Sequence, residues 1–318
     1  MYILGLEGGE LENNENLKKA LNDGLGGVIF FTQNIKTPDQ IKDLIKNINA
    51  QCEVPPFLSI DQEGGRVERT ENIHNGKKYL SAKFAAEKGE EFLKNQTEQI
   101  AIELKNYGFN LNFAPCLDVN TNPNNPIIGE RAFSNDTDEV IKYGKIVTET
   151  YIENGIIPCA KHFPGHGDAA VDSHIALPKI DLSLEEMEKF HIKPFKELID
   201  IPMIMVAHMH CTAFDQEEIP SSLSENVVKK YLIETLGYKG LIITDDMVMG
   251  GVLGLDGTEA CKRAIKAGVD ILLYRGSDDE TIEIIENLAK MAETDEVLRA
   301  NIETSYNKII TFKKSYFA

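Results

Sequence analysis

The segment 161–174, with the sequence KHFPGHGDAAVDSH, concentrates side chains that can transfer protons and bind hydroxyl groups. It contains three of the seven histidines of the chain, together with two aspartates and one lysine. One proline and two glycines near its centre interrupt helical structure, so we expect an irregular loop that reaches the surface. Asp172 lies two residues before His174, and such a carboxylate can orient an imidazole and stabilise its cation. The segment therefore predicts a site for acid–base chemistry.

Three further segments carry carboxylates, arginines or amides at the ends of short apolar runs. They are 59–69 (SIDQEGGRVER), 112–120 (NFAPCLDVN) and 242–247 (IITDDM). Because side chains alternate between the two faces of a strand, Asp245 and Asp246 should point in opposite directions. We expect Asp245 to face the site, and Asp246 to support it or to lie at a helix N-terminus.

The elements that must position these residues follow one repeated pattern, in which short apolar runs alternate with longer segments of helical period. The apolar runs, which are typical of buried strands, are 2–6, 27–32, 57–61, 111–119, 156–162, 203–208, 240–245 and 271–275. The helical segments are 13–21, 38–48, 82–107, 139–154, 184–199, 225–236, 258–267 and 279–292. Helix starts are indicated by Pro38 after Thr37, by a capping box at Ser183 and by Ser224.

Continuously apolar strands that alternate with helices indicate parallel β-structure covered on both faces. Eight such units predict an α/β fold, a single (β/α)8 barrel spanning residues 1–318, with a helix at 296–312 packed on its outside. A doubly wound open sheet is the alternative, but the turn at 5–9 (GLEGG) lacks the G-x-G-x-x-G pattern that would support it. Barrel active sites lie at the carboxyl ends of the strands, so the polar segments should meet on one rim.

Composition narrows the classes of function. The 318 residues carry a formal net charge of −18, which disfavours a nucleic-acid partner because phosphate binding needs an excess of Lys and Arg. The five cysteines are odd in number and widely spaced, so we expect reduced thiols. No secretory signal pattern and no run of about 18 apolar residues is present. We predict a cytoplasmic, soluble, monomeric protein that binds neither membrane nor nucleic acid.

The motifs IDQEGGRVER, NFAPCLDV followed by IIGERAF, KHFPGHGDAAVDSH and ITDDM, in this order over nearly the whole chain, resemble glycoside hydrolase family 3. The similarity is to the β-N-acetylhexosaminidase (NagZ-type) branch. It implies a retaining exo-glycosidase that removes terminal N-acetylglucosamine from muropeptide fragments in peptidoglycan recycling. It also implies that no cofactor or metal is required. The chain resembles single-domain members, without the second α/β sandwich domain found in many others.

The resemblance also implies roles for individual residues. Asp245 matches the nucleophile, and His174 matches the acid/base, with Asp172 as its dyad partner. The sugar-contacting positions are Asp61, Arg69, Arg131, Lys161 and His162. A carboxylate accepts two hydroxyl hydrogen bonds and a guanidinium donates two, so a pyranose site can use both charges.

Other polar residues near these motifs are expected to support the site. Glu63 and Arg66 are expected to be structural partners within the glycine turn, and His166 and His208 to support the site from behind. For Asp118 two interpretations remain open, a place on the pocket floor or a buried structural role.

Three alternative functions remain from the residues alone. A phosphorylase would use the same nucleophile and pass the sugar to phosphate, and a histidine acid/base would not repel that dianion. A metal-dependent hydrolase could use the histidines and aspartates, although Lys161 beside His162 would place a cation near the metal. A glycan-binding barrel without activity would need neither a nucleophile nor an acid/base.

Overall fold

Eight parallel strands close into a barrel in the computed structural model, which describes residues 1–74, 78–169, 177–249, 252 and 254–317. The barrel strands are β1 (Tyr2–Gly5), β2 (Gly27–Phe30), β3 (Phe57–Ile60), β4 (Leu111–Asn112), β5 (Ile157–Phe163), β7 (Met203–Val206), β9 (Leu241–Asp246) and β10 (Ile271–Tyr274). They pair in the order β1-β10-β9-β7-β5-β4-β3-β2. The predicted (β/α)8 barrel is therefore confirmed. A separate parallel pair, β6 (Lys179–Ile180) and β8 (His210–Cys211), was not expected from the sequence.

Helices surround the barrel in the connections between its strands. The α-helices are α1 (Glu15–Asn22), α2 (Pro38–Ala50), α3 (Ala82–Glu87), α4 (Glu90–Tyr107), α5 (Thr137–Glu153), α6 (Leu184–Glu186), α7 (Lys193–Glu197), α8 (Gly257–Ala267), α9 (Asp279–Thr294) and α10 (Glu296–Tyr316). Two segments are π-helical, Met187–Ile192 and Asn226–Thr235. Short 3-10 turns lie at Thr32–Asn34, Glu71–Ile73, Gly129–Arg131 and Ser221–Leu223.

The predicted helix starts are confirmed by their hydrogen bonds. The Thr37 hydroxyl accepts from the Gln40 N–H at 3.2 Å. At the capping box, the Ser183 hydroxyl accepts from the Glu186 N–H, and the Glu186 carboxylate accepts from the Ser183 N–H at 2.9 Å. The Ser224 hydroxyl accepts from the Val227 N–H at 3.1 Å, although the helix that follows is π-helical.

Alternation along the strands divides the apolar core into two layers. Side chains that point into the barrel form a compact inner cluster that includes Ile3, Phe57, Ile157, Met203 and Ile243. Their neighbours in sequence point outward and pack against the helices in a larger outer cluster. Burial on both faces explains why the strands are apolar without interruption.

The amino-terminal end of the barrel is covered by α10. Ile309 of this helix belongs to the inner cluster, and Phe312, Tyr316 and Phe317 pack against it. Lys313 is 3% exposed; its Nζ donates to the Gly26 carbonyl at 2.8 Å and lies 4.7 Å from the centroid of the Phe57 ring. The C-terminal helix therefore closes this end of the barrel.

Two predicted elements are wrong in extent. The fourth strand was expected at 111–119 but ends at Asn112, because the Ala114 N–H turns back to the Asn112 carbonyl and Pro115 has no N–H to donate. The helix expected at 82–107 is divided into α3 and α4 at Gly89, whose φ of +100° lies outside the helical region. The Ala114–Pro115, Lys161–His162 and Phe163–Pro164 peptide bonds are cis.

Within the described residues, no helix is both long enough and apolar enough to cross a lipid bilayer.

Candidate active site

A cavity of about 430 Å³ opens at the carboxyl ends of the barrel strands. Its walls come from several strand ends and from the loops that follow them, as expected for an active site of this fold. Charged and histidine side chains on its wall are Asp61, Arg66, Arg69, Arg131, Lys161, His162, His166, Asp245, Asp246 and Arg275. The predicted nucleophile and all five predicted sugar-contacting residues are therefore brought together.

Asp245 lies near the end of β9 on the wall of this cavity. One oxygen of its carboxylate, Oδ1, accepts from the Asp246 N–H at 2.8 Å. Burial opposes ionisation, but His162, His208, this N–H group and Lys161 outweigh it, so the pKa of Asp245 lies below its ordinary value. The carboxylate is ionised at neutral pH, as a nucleophile must be.

Asp246 also contributes to the cavity wall, which strand alternation did not predict, while its contacts agree with the expected supporting role. Its carboxylate accepts from the Val248 and Arg275 N–H groups at 3.3 and 3.2 Å and lies 3.3 Å from the Arg275 Nε. Burial and the Asp245 charge outweigh these contacts and raise the pKa of Asp246 to about 6. The two neighbouring carboxyl groups therefore ionise at different pH.

A buried network of two cations and one glutamate forms a second wall. Arg131 binds Glu63 through two parallel hydrogen bonds of 2.8 Å, and the Lys161 Nζ lies 2.6 Å from both Glu63 and Asp61. Burial opposes ionisation of Glu63, but Arg131 and Lys161 outweigh it and hold its pKa well below its usual range. Burial likewise opposes the Lys161 charge, yet Asp61 and Glu63 raise its pKa. Glu63 therefore orients two of the predicted sugar contacts from across the site.

His162 is oriented from below by Asp118. The His162 Nδ1 lies 2.6 Å from Asp118 Oδ2, and the backbone N–H groups of His162 and His166 donate to Asp118 Oδ1 at 3.3 and 2.6 Å. Burial of Asp118 is outweighed by these partners, which hold its pKa well below its usual range. With Nδ1–H donating to Asp118, the His162 Nε2 is directed away from it, 3.4 Å from the Arg131 Nη2. Asp118 therefore has the buried structural role.

Two further histidines lie close to the site. Burial outweighs the nearby Asp118 charge and lowers the pKa of His166 to about 4, so its ring is neutral. Both His166 ring nitrogens are buried and lack a hydrogen-bond partner among the described residues, although the ring lines the cavity. His208 is fully buried, with its Nδ1 at 2.6 Å from the Ser222 hydroxyl. His166 is thus available to a ligand, whereas His208 lies beneath the site.

Arg69 reaches the cavity from the loop that follows β3. Its backbone N–H donates to the Gln62 side chain at 2.8 Å, and its guanidinium lies 5.7 Å from the centroid of the Phe31 ring. The Arg69 Nη2 is 4.0 Å from Asp61, and its buried Nε–H has no partner among the described residues. The guanidinium therefore has few direct contacts, and its Nε–H donor is unused among the described residues.

The predicted acid/base pair, Asp172 and His174, lies outside the described residues. The start of its loop is anchored beside the cavity, since the Thr121 hydroxyl donates to Asp168 at 3.0 Å and Asn122 donates to the Asp168 and Ala169 carbonyls. A Cβ at Gly167 would come within 1.7 Å of the Val119 carbonyl, so this close approach requires glycine.

Several site residues were missed or misassigned from the sequence. Glu63 and Arg66 are not partners within the glycine turn: Glu63 binds Arg131 and Lys161, and Arg66 donates to the Pro126 and Ile127 carbonyls. The cavity wall also includes Phe31, Met205, Met249, Leu273 and Arg275. Phe31 and Arg275 each follow directly after a barrel strand, and this position could have identified them as cavity residues from the sequence.

Residues 4–312 match the family described as glycosyl hydrolase family 3 N terminal domain. The chain belongs to glycosyl hydrolase family 3. The resemblance inferred from the motifs is confirmed, and it agrees with the closed barrel and with the cavity at the carboxyl ends of its strands.

Three named proteins are similar to most of this chain. The β-hexosaminidase A of Pseudoalteromonas piscicida is 31% identical over 91% of this chain and 53% of its own length. The β-hexosaminidase of Haemophilus influenzae is 31% identical over 90% of this chain and 82% of its own length. The structure of a family 3 β-N-acetylglucosaminidase from Paenibacillus superposes with a TM-score of 0.92 at 31% identity, covering 100% of this chain and 62% of that one. The chain thus spans less than two thirds of the first and third of these relatives.

Three neighbouring buried residues have the composition of a metal site. Among the described residues, Cys116, Asp118 and His162 bring potential ligand atoms within 4.8 Å of one another. Asp118 is already occupied by the His162 ring, by two backbone N–H groups and by the Cys116 thiol at 3.2 Å. Burial and the Asp118 charge raise the pKa of the Cys116 thiol well above its ordinary value. These residues fit a hydrogen-bonded support for His162 better than a catalytic metal centre.

Proposed function

We propose that this family 3 protein is a retaining exo-β-N-acetylglucosaminidase, in which Asp245 forms a covalent glycosyl-enzyme and the Asp172–His174 dyad provides the acid/base. The observation that carries the proposal is the ionised Asp245 carboxylate on the wall of a cavity that also holds Asp61, Arg69, Arg131, Lys161 and His162. The names of the similar proteins support the same activity.

The described residues perform the first step by binding and by charge placement. Asp61 accepts hydroxyl hydrogen bonds while Lys161 and Arg69 donate them, which fixes the sugar ring above Asp245. Asp245 attacks the anomeric carbon as the glycosidic bond breaks, and His174 gives a proton to the departing oxygen. Water then attacks the glycosyl-enzyme after losing its proton to His174, and Asp245 leaves as a carboxylate.

The dimensions of the cavity support removal of one terminal sugar. About 430 Å³ lies within the range of small-ligand sites, and the α10 helix closes the opposite end of the barrel. The barrel interior below the cavity is filled by the inner cluster of side chains, so a substrate can enter only from the rim. We therefore propose cleavage from the non-reducing end, with N-acetylglucosamine-containing muropeptide fragments of peptidoglycan recycling as substrates.

The cellular location, the oligomeric state and the absence of a cofactor are also part of this proposal. A cytoplasmic, monomeric enzyme that needs no cofactor is consistent with the reduced cysteines and with the acidic composition. The phosphorylase alternative has no support from the relatives, whose names are those of hexosaminidases.

The test is to trap the intermediate. The substrate is an activated β-N-acetylglucosaminide that carries a fluorine on the sugar ring. Fluorine slows both steps because it destabilises positive charge in both transition states, whereas the activated leaving group restores the rate of the first step. The glycosyl-enzyme should therefore form faster than it is hydrolysed. We expect peptide mass spectrometry to find the sugar on Asp245. Products made from an unfluorinated substrate with and without phosphate would distinguish free sugar from sugar 1-phosphate. Labelling of another residue, or exclusive formation of sugar 1-phosphate, would contradict the proposal.

A further inference from the structure

His74 lies between two glutamates in the loop that follows β3. Its Nδ1 is 2.6 Å from Glu68 Oε1, and its Nε2 is 2.6 Å from Glu103 Oε1 on α4. The side chains of His74 and Glu68 are 8% and 1% exposed. The second oxygens of the two glutamates accept from the Tyr79 backbone N–H and from the Tyr79 hydroxyl, at 3.1 and 3.0 Å. We call this arrangement the Glu68–His74–Glu103 clasp.

The two short contacts of the clasp imply one additional proton. A neutral histidine between two ionised carboxylates would not carry enough hydrogens to make both contacts hydrogen bonds. The Thr70 hydroxyl also lies 2.9 Å from the His74 Nε2. A neutral imidazole has one N–H and one lone pair, so one of its nitrogens would still face a carboxylate with no hydrogen between them. Both short contacts become hydrogen bonds when the ring is an imidazolium or when one glutamate is protonated. Burial raises the pKa of Glu68, although Tyr79 and His74 partly oppose it.

The clasp is connected to the cavity through Arg69. Glu68 and Arg69 are adjacent; the Glu68 carboxylate contacts the His74 ring, whereas the Arg69 side chain lines the cavity. The Arg69 guanidinium has weak anchors of its own, namely the Phe31 ring and Asp61 at 4.0 Å. The orientation of its unused Nε–H therefore depends on how the preceding residue is held.

We propose that His74 is a positioning residue, which fixes Glu68 against α4 and thereby presents the Arg69 guanidinium to a hydroxyl group of the bound sugar. The inference rests on the proposed function, since it assigns Arg69 to sugar binding. His74 itself does not line the cavity. Its contribution is to substrate affinity and not to the chemical step.

The proton in the clasp makes this positioning dependent on pH. The titratable groups that face His74 are Glu68 from its own loop, Glu103 from α4, and Tyr79, whose ring packs edge-on at 5.2 Å. Burial, and then the nearby Glu103 charge, raise the pKa of Tyr107. Removal of the shared proton would leave one carboxylate facing the lone pair of a neutral ring, which would release the loop from α4.

Glu103→Gln provides a conservative rescue. The amide nitrogen would replace the oxygen that faces His74, and the amide oxygen would still accept from the Tyr79 hydroxyl. A neutral His74 can then donate to Glu68 and accept from the amide, so the clasp survives loss of the proton.

The experiment measures KM and kcat for an aryl β-N-acetylglucosaminide from about pH 6 to about pH 9. We expect His74→Ala to raise KM about tenfold with little change in kcat, as loss of one hydrogen bond to a charged group would. The wild-type KM should rise at alkaline pH, and Glu103→Gln should remove that rise. In an Arg69→Met background His74→Ala should add almost nothing, because its effect passes through Arg69.

Glu71→Gln is the matched control, since it removes the exposed pair with Lys78 on the same loop and should leave KM unchanged. Equal effects of His74→Ala with and without Arg69, or a Glu103→Gln variant that behaves like His74→Ala, would overturn the proposal. Histidine ring ¹⁵N shifts in the wild type give a readout that does not depend on activity, and we expect a His74 ring with both nitrogens hydrogen-bonded. If the wild type does not hydrolyse the substrate while these shifts are as expected, the proposed function fails and the clasp stands.

Discussion

Two adjacent aspartates at the end of β9 differ in how easily they ionise. His162, His208 and Lys161 lower the pKa of Asp245 against the effect of burial, whereas burial and the Asp245 charge raise that of Asp246 to about 6. A nucleophile must be charged at the working pH, so the residue with the lowered pKa is suited to this role. The adjacent carboxyl group orients Arg275 and the turn after β9.

Replacement of Asp245, the proposed nucleophile, should abolish turnover while leaving the fold intact. We expect Asp245→Ala to lower kcat by about 10³-fold or more, because no other described carboxylate takes the same position. Its melting temperature should change little, since Asp245 is half-buried at a strand end and not in the core. Asp246→Asn is the control and should keep measurable turnover. The assignment is wrong if Asp245→Ala remains active on an aryl β-N-acetylglucosaminide.

The importance of His174 should depend on the leaving group. An activated phenol departs as a stable oxyanion without a proton. His174→Ala should therefore slow formation of the glycosyl-enzyme far less with an aryl glycoside than with a substrate that has a sugar–sugar bond. Loss of the general base should then make deglycosylation limiting, with a burst of phenol in pre-steady-state assays. Asp172→Ala should give a milder version, and azide should restore turnover. Equal impairment on both substrates without azide rescue would place the acid/base elsewhere, with Asp168 or His166 as the next candidates.

The residues that line the cavity could be predicted from the sequence, whereas their partners could not. Asp61, Lys161, His162 and Asp245 come at the ends of apolar runs, so the barrel topology alone brings them to one rim. By contrast, Glu63 pairs with a residue 68 positions away and Asp118 with one 44 positions away. Strand and helix periods carry no information about such pairs, which depend on loop geometry.

Breaks within the secondary structure elements were the least predictable feature. The period of 82–107 continues through Gly89, yet the chain turns there with a φ of +100° and begins a second helix. The π-helical segments Met187–Ile192 and Asn226–Thr235 were likewise expected as ordinary helix. A hydrophobic period of about 3.6 residues does not distinguish one wider turn from regular helix, whereas caps are local and were predicted correctly.

Gly89 should therefore be sensitive to substitution for conformational reasons alone. A Cβ at this position meets nothing within 4 Å, so Gly89→Ala would create no clash with another part of the protein. The positive φ nevertheless disfavours an L side chain, and we expect the free energy of unfolding to fall by about 1–2 kcal/mol. Urea denaturation measures this loss, with Lys88→Ala as the neighbouring control. An unchanged midpoint for Gly89→Ala would mean that the turn adapts at no cost.

At the scale of the whole molecule, the number of alternating units was sufficient to predict a closed barrel. The covering of its amino-terminal end by α10 was not predicted in detail, because a helix expected on the outside contributes Ile309 and Lys313 to the base of the barrel. A lysine there gives no sequence signal of burial, since lysines are common on exposed helix faces.

Burial of Lys313 predicts a pH-dependent stability. Burial lowers its pKa from 10.5 to about 8, so below about pH 8 the amine is charged in both the folded and the unfolded state and the full cost of burying the charge applies. Between about pH 8 and 10.5 only the unfolded state holds the proton, so the Lys313 contribution to the free energy of unfolding should rise with pH, by roughly 3 kcal/mol in total.

The measurement compares wild type with Lys313→Met by chemical denaturation across this pH range. The difference in free energy of unfolding between the two proteins should move in favour of the wild type as pH rises. Lys314→Met, which removes an exposed lysine from the same helix, should give a constant difference. A constant difference for Lys313→Met as well would mean that Lys313 keeps its ordinary pKa in the folded protein.

The closed base of the barrel has a consequence for the order in which products leave. With Ile309, Phe312 and Phe317 packed across the amino-terminal end, the aglycone and the sugar must both depart through the opening at the carboxyl ends of the strands. In the proposed reaction the sugar lies deeper, against Lys161 and His162, so the aglycone would leave first, water would enter behind it, and the sugar would depart last. Free N-acetylglucosamine should then inhibit competitively against the substrate, whereas the aglycone should inhibit noncompetitively by capturing the glycosyl-enzyme and reversing the first step.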